Sequence, residues 1–424
     1  MKKKYDNNFL NVNTSDSVDK LNARFYEKFP YPWPPMKFVI LSDPSFETTM
    51  LNQNLGYWAD SVIPKNPKIW VAGCGTNQAI ITALKFPEAA VLGSDISTKS
   101  LEICSNTSKD MGISNLELKE ESLNKITYKE KFDYIISTGT VHHNLDPEAT
   151  LKNLANALKP TGIMELMVYN KYNWSIPAAI QKTIKILSRF NTGTDFNSEL
   201  SIAKKIIDIF SKNNSISDYL QQFKSCPESL MADALLQPIL HSYTIETLEK
   251  MSSICGLELL IQFVNLFDRA NNRLSWDMEF DDLEFQKNYD ALTDIERWQV
   301  TNLLLSEKSP FLLWFYLQRK DSGRKRKTEK QICDEFLDTK FKRAHVNQKN
   351  YVRQKGGKYK LSSRTNPYPS RPIDPSVKSI VDAITEKRII REIFDELKIE
   401  TDFYTVNQAR VKLTTTEFPY LVSC

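Results

Sequence analysis

Lys68-Ile-Trp-Val-Ala-Gly-Cys-Gly-Thr-Asn77 is the stretch whose reading decides the fold. A short apolar run that ends at glycine reads as a buried strand. Glycine at such a turn lets the backbone approach a ligand closely, and the N–H groups of the helix beyond it favour a carboxylate or phosphate. Outward from the turn, residues 77–86 read as a helix and Ala89-Ala-Val-Leu-Gly-Ser-Asp95 as a second strand. Ser97 can cap a helix that runs to Met111, where Gly112 stops it. Leu116–Glu120 and Phe132-Asp-Tyr-Ile-Ile-Ser137 read as strands. Asp146-Pro-Glu opens another helix, with Pro147 at the first helical position, where its missing N–H costs nothing. That helix ends near Lys159-Pro-Thr-Gly162, and Ile163-Met-Glu-Leu-Met-Val-Tyr169 is a fifth strand. Strands alternating with helices imply βαβ units and a mostly parallel sheet.

Residues 174–235 interrupt the alternation with helical periodicity alone, as in Ile176, Ile180, Ile184 and Leu187. It then resumes. Tyr243–Cys255 reads as a helix, Leu257–Phe263 as a strand, 281–305 as helical and Ser309–Leu317 as a seventh strand. The fold class is therefore α/β, a doubly wound seven-stranded sheet with a helical insertion, plus a small α+β unit at the C-terminus. Four parts are expected. Residues 1–64 form an N-terminal segment with a Pro/aromatic lid, Phe29-Pro-Tyr-Pro-Trp-Pro-Pro35, and the polar residues 1–20 read as an unanchored terminus. Residues 65–320 hold the sheet, with the insertion at about 174–235, and 321–334 form a basic, solvated linker. Residues 335–424 form the small domain, helical over Val377–Leu397, with a terminal hairpin from Arg410-Val-Lys-Leu to Pro419-Tyr-Leu-Val. A winged-helix-like order suits them.

The 424 residues are 41% hydrophobic and 25% charged, which excludes wholesale disorder, a fibre or a disulfide scaffold. No apolar run is long enough to span a membrane, and Met1-Lys-Lys-Lys-Tyr-Asp lacks the apolar core of a secretory signal. A cytoplasmic protein with no membrane partner is expected. The net charge is +9 from Lys320 to Cys424 and −5 over the remainder, so the two parts would meet different partners. Six cysteines show no CxxC pair and no histidine at ligand spacing, so no metal site is expected.

Asp95 lies at the end of the second strand, 22 residues after Gly73, where an acid can bind both hydroxyls of a ribose. The pair implies a nucleoside site. A dinucleotide fingerprint needs Gly or Ala at the sixth position of its glycine motif; Gln78 stands there, which argues against NAD.

Four pieces in order resemble the class I S-adenosylmethionine-dependent methyltransferases of the type 11/12 branch. They are Val71-Ala-Gly-Cys-Gly-Thr76, Val91-Leu-Gly-Ser-Asp-Ile-Ser97, the stretch from Phe132 through His142-His-Asn-Leu-Asp-Pro147, and Leu158-Lys-Pro-Thr-Gly-Ile163. They cover residues 65–170, and Asp233…Gln237-Pro-Ile-Leu-His-Ser-Tyr-Thr244 resembles the stretch before the sixth strand of many such enzymes. The resemblance implies a Rossmann-like sheet and S-adenosylmethionine as cofactor. It implies that Gly73 and Gly75 border the methionine part, Asp95 holds the ribose and Ile96 lies against the adenine, with Thr138 also in the cofactor site. Ser122 falls where the family often has an acid bonding the adenine amino group. Two further departures are Val71, where the family often has an acid, and Asn77, which replaces its third glycine.

Methyl transfer from a sulfonium is an in-line displacement, so the protein mainly aligns the acceptor and excludes water. His142 and His143 follow the fourth strand at the carboxyl edge of the sheet, where a base would help; they are the catalytic candidates, and the other reading is that they shape the loop. Glu165, His241 and Tyr243 are the substrate-site candidates, with an interior carboxylate and a helix-entry contact as the alternatives. Thr138-Gly-Thr-Val stands where enzymes that methylate planar amino nitrogens carry a Pro-Pro-aromatic motif, and the Pro-Cys or Thr-Cys nucleophile of cytosine enzymes is missing. A small organic or natural-product-like acceptor is the first expectation and a protein side chain the second; nucleic acid is not expected at the catalytic domain. The competing function is a catalytically degenerate scaffold whose basic C-terminal part contacts nucleic acid or a partner protein.

Overall fold

The computed structural model describes residues 14–188, 196–210, 216–264, 276–305 and 312–424. It opens with α1 (Ser15–Lys28), where Thr14 and Ser17 form a capping box and Val18, Leu21 and Phe25 make a buried stripe. Residues 15–20, read as part of an unanchored terminus, are thus the first turns of a packed helix; residues 1–13 lie outside the described residues. The proline-aromatic strap leads to β1 (Lys37–Leu41) and α2 (Phe46–Asn54).

The alternation follows as β2 (Lys68–Ala72), α3 (Gln78–Lys85), β3 (Ala90–Asp95), α4 (Thr98–Met111), β4 (Leu116–Glu120) and β5 (Phe132–Thr138). Next come α5 (Pro147–Ala157) and β6 (Leu158–Val168), then the insertion helices α6 (Ser175–Ser188), α7 (Phe196–Phe210), α8 (Ser217–Gln221) and α9 (Glu228–Leu235). The sheet is completed by α10 (Ile245–Ile254), β7 (Leu257–Gln262), α11 (Leu283–Asp290), α12 (Asp294–Leu304) and β8 (Leu313–Arg319). Of the expected seventh strand, residues 309–311 lie outside the described residues.

The seven strands run in the order β4-β3-β2-β5-β6-β8-β7, parallel except at β8. Ile69 to Ala72 are fully buried because successive side chains feed the cores on the two faces. Trp70 joins Ile135, Met164 and Phe315 on one face, and Ile69 and Val71 join Ile80, Tyr134 and Tyr316 on the other. Chain order reverses between β2 and β5, so the crevice beyond their carboxyl ends is where such a sheet takes a ligand. A further core lies over that edge, where Leu21, Phe25 and Phe29 pack with Ile180, Phe196, Leu200 and Leu235 of the insertion.

The C-terminal part comprises α13 (Glu329–Leu337), β9 (Phe341–Arg343), β10 (Val346–Arg353), β11 (Tyr359–Leu361), β12 (Asn366–Tyr368), α14 (Lys378–Ala383), α15 (Ile390–Leu397), α16 (Phe403–Thr414), β13 (Phe418–Pro419) and β14 (Leu421–Ser423). It differs from the sequence reading in three ways. Arg410-Val-Lys-Leu, read as a hairpin strand, is the last turn of α16, a helix started by the Asp402 side chain accepting from Thr405 N; β14 pairs instead with β9. Residues 321–334 are not a solvated linker. Arg324 Nη2 donates to Thr161 O (2.8 Å), Arg326 Nε to Leu259 O (2.7 Å) and Lys327 Nζ to Gly56 O (3.1 Å), so their charge is used inside the molecule. Nor does the part stand alone, since β10 pairs along the whole of β1 and Gln53 exchanges hydrogen bonds with Leu421 O and Ser423 N.

Candidate active site

The turn after β2 holds Gly73 and Gly75 at φ +77° and +54°, values that side-chain-bearing residues rarely adopt. A Cβ at Gly73 would run into Thr140, and one at Gly75 would lie 2.5 Å from Tyr31 O. The strap is the reason for the second constraint. Thr76 N donates to Tyr31 O (3.1 Å) and Asn77 Nδ2 to Trp33 O (3.2 Å), so Asn77 fastens the lid over the turn. Val71 is a fully buried core residue.

Gly75 N and Ser97 N each donate to one oxygen of Asp95 at 2.9 Å. Burial raises the Asp95 pKa, and the N–H groups of Ser97, Gly75 and Ile96 oppose that rise. A carboxylate has about four acceptor positions, so these N–H groups do not exhaust it, and the remainder suits hydroxyl donors. Across the crevice Gln78 Nε2 donates to Thr138 Oγ1 (2.6 Å). Beyond β4, Ser122 and Asn124 bond Asp19 of α1. The turn, Asp95, Ile96, Thr138 and Ser122 thus lie along the carboxyl edge of β2, β3, β4 and β5.

Next along the edge, His142 and His143 sit in a single 3-10 turn, Val141–His143, and both are buried. Their rings lie 4.2 Å apart, and His142 lies 4.0 Å from Tyr169, which stacks on Trp174 at 3.6 Å. His143 Nδ1 faces Ile239 O at 2.8 Å, while neither ring nitrogen of His142 has a protein partner. Burial pushes the His143 pKa down to about 4 and His142 well below its ordinary value, so both are neutral at pH 7. His241 N donates to His142 O and Tyr243 N to Tyr169 O, both at 2.9 Å, so the segment before α10 lies against the same edge. Ser137 Oγ, Asn170 Nδ2 and Trp174 Nε1 are buried atoms without a protein partner. Glu165 is set apart from this group. Its oxygens accept from Tyr134 OH and from Trp314 Nε1 (2.9 Å), which makes it a satisfied interior carboxylate and not a site group.

The residue that the sequence reading passed over is Asp233 on α9. It is half-buried, and loss of water pushes its pKa up to about 6. Gln237 Nε2 donates to Asp233 Oδ1 and to Tyr26 OH, both at 2.7 Å. Burial raises the hydroxyl pKa values of Tyr26, Tyr31 and Tyr169, and the Asp233 carboxylate adds to each rise. Its one signal in the sequence is the Asp233…Thr244 segment.

The family model described as a methyltransferase domain matches residues 66–217. The chain carries a class I S-adenosylmethionine-dependent methyltransferase domain. S-adenosylmethionine is its cofactor, and the bare glycine turn and the spare capacity of Asp95 fit it. Over 305 residues the methyltransferase is 24% identical to an uncharacterised Synechococcus protein, a match that covers 70% of this chain and 71% of the other. Over 150 residues it is 30% identical to the ubiquinone biosynthesis O-methyltransferase of Pelagibacter ubique, covering 35% of this chain and 62% of that one. Its fold resembles that of PKMT2 from Rickettsia typhi, with a TM-score of 0.57 at 17% identity, over 92% of this chain and 76% of the other. Among the described residues there is no cluster of three metal-ligating side chains and no helix long and apolar enough to cross a membrane.

Proposed function

We propose that the methyltransferase transfers its methyl group to an amine nitrogen of an organic acceptor, a small molecule first and a protein side chain second. The acceptor would lie beside His142, under the insertion helices. Asp233 is the observation that carries this reading. It is a half-buried carboxylate hydrogen-bonded by Gln237 and Tyr26, with no cation at ion-pair distance among the described residues. An acceptor that brings a positive charge or an N–H donor supplies what is missing there. The Pelagibacter relative is by name an O-methyltransferase; the carboxylate favours nitrogen for this chain.

The bound cofactor supplies an electrophilic methyl carbon, which the acceptor takes in line as a thioether leaves. Asp233, ionised above about pH 6, holds the amine by hydrogen bond and turns its lone pair toward the cofactor edge. The aromatic faces of Tyr26, Tyr31 and Tyr169 favour a cationic group beside them. Asp233 takes the proton that the methylated nitrogen releases, and neutral His142, with an unpartnered ring nitrogen, accepts a hydrogen bond from the amine. The strap and α1 keep water from the reacting atoms. We assign the enzyme to the cytoplasm, a reducing compartment that suits its six free cysteines.

The test measures S-adenosylhomocysteine release with panels of amine and hydroxyl acceptors, in the wild type and in Asp233→Asn. Amine turnover that rises with pH through about 6 and collapses in the variant is expected. Turnover of hydroxyl acceptors that Asp233→Asn leaves intact would sink the proposal. Failure of the wild type to bind S-adenosylmethionine in calorimetry would favour the scaffold reading.

A further inference from the structure

Residues 339–373 carry ten Lys and Arg and no Asp or Glu. The stretch includes β9, β10, β11 and β12, so its charge is laid out on strands. Elsewhere in the C-terminal part surface cations are matched, as Arg388 is by Glu396 (2.6 Å) and Arg391 by Asp338 (2.8 Å). Of the ten, Arg343 meets Asp382 at 3.9 Å and Arg371 meets Glu417 at 3.8 Å. The other eight have no carboxylate at ion-pair distance among the described residues.

Six of those eight stand exposed on or beside one ribbon, formed by β10, β11 and the turn between them: Lys349, Arg353, Lys355, Lys358, Lys360 and Arg364. On the other side of β10, β1 adds Lys37. Lys37 is paired with Val352 and Val352 with Lys360, so two ammonium groups share one face across three strands, their backbones roughly 10 Å apart. The turn, residues 354–358, is exposed throughout, and a Cβ at Gly356 would meet nothing within 4 Å. The ribbon is also tied to the strap over the glycine turn, because Arg353 N donates to Met36 O (3.0 Å) and Tyr359 OH to Pro35 O (2.6 Å).

Like charges held this close repel one another, and a fold that matches its cations elsewhere leaves these to an outside partner. Their arrangement gives the partner's chemistry. A phosphate backbone offers closely spaced single negative charges along a line, and a two-stranded ribbon is narrow enough to follow it. A bilayer surface suits the ribbon less. It takes apolar side chains from one face, whereas the exposed Val352 and Leu361 lie on opposite faces and the turn has none.

We infer that the β10–β11 ribbon binds the phosphate backbone of a nucleic acid without reading its sequence. Lys37, Lys355, Lys358 and Lys360 supply the contacts, and the strand they hold runs beside the strap. The inference adds a partner to the methyltransferase and does not depend on the acceptor proposed above.

Fluorescence anisotropy of the full chain with labelled single-stranded RNA and with duplex DNA tests it; whichever is held tighter identifies the nucleic acid. Affinity for the single strand should fall about 50-fold between roughly 50 and 200 mM salt, as four phosphate contacts require. Lys355→Glu combined with Lys358→Glu should weaken binding roughly tenfold or more and flatten the salt response, with S-adenosylhomocysteine binding unchanged. Both positions lie in the open turn, so the change touches no core. Lys37→Gln with Lys360→Gln, on the strands, should weaken binding independently. No binding at about 50 mM salt, or binding that both variants retain, overturns the inference and leaves the lysines as guards of an edge strand. Equal binding to polyglutamate, or capture by phosphatidylserine vesicles without binding of RNA or DNA, overturns it in favour of an acidic protein or a membrane surface.

Discussion

At the joint between the sheet and the C-terminal part, Arg297 is 3% exposed and meets Asp294 at 2.9 Å, Glu329 at 3.0 Å and Asp277 at 3.8 Å. Arg326 adds a second contact to Asp294 at 2.6 Å, Trp298 Nε1 donates to Glu329 at 2.8 Å, and the Arg297 guanidinium lies over Phe403. At the β5–β6 edge, Asp233 has neutral partners only, and the His142 ring nitrogens beside Tyr169 have none. Both clusters displace water from ionisable groups, and both raise a carboxyl pKa by doing so. In the first, the chain supplies the counter-charges itself and the cluster fastens two parts together. In the second it withholds them, as a site does when the missing partner is a ligand.

Breaking the joint should have the largest effect. Arg297→Met leaves Asp277, Asp294 and Glu329 facing one another out of water, and urea unfolding should show a loss of about 3–5 kcal/mol. A loss under about 1 kcal/mol would mean that the cluster does not fasten the joint.

Asp233→Asn should act in the opposite sense. Methyl transfer to amines at pH 7.5 should fall roughly a hundredfold, while stability holds or rises. The folded pKa of about 6 lies above the unfolded value, so the ionised carboxylate costs stability once pH exceeds that range, and a neutral amide removes the cost. A variant that unfolds readily and keeps its turnover would make Asp233 a second fastening group.

Asp95→Ala should weaken S-adenosylhomocysteine binding about tenfold, with little change in thermal midpoint. The smallest effect concerns pH. His143 is depressed from 6.5 to about 4, so its contribution is present above pH 6.5 and is lost as pH falls toward 4. Between pH 7 and 5 His143 should account for about 1–2 kcal/mol of the stability the wild type loses, and His143→Gln should respond less to the same change. Equal pH responses would place the acid-labile group elsewhere.

The cofactor half of the site was legible because its residues form short contiguous patterns. The β2 turn, Asp95 and the β5 end each follow from local runs and their spacing. The acceptor half was not. Asp233 acquires its meaning from Tyr26, whose hydroxyl it meets through Gln237, 211 residues further along the chain. The first turns of α1 looked like an unanchored terminus because Asp16 and Asp19 face a loop that only the folded sheet presents. Glu165 drew suspicion as a charge in a strand, and its partners Tyr134 and Trp314 come from two other strands.

The sequence by itself determined the alternation of β2 through β6, the bare glycine turn and the acid that closes β3. Backbone conformation and the facing of a strand depend on neighbours a few residues away. Tertiary structure alone decided which polar groups the chain satisfies and which it leaves open. The tie of β1 to β10, the charges that closed around Arg297 and the carboxylate left without one at Asp233 all depend on burial, and burial depends on segments tens to hundreds of residues apart.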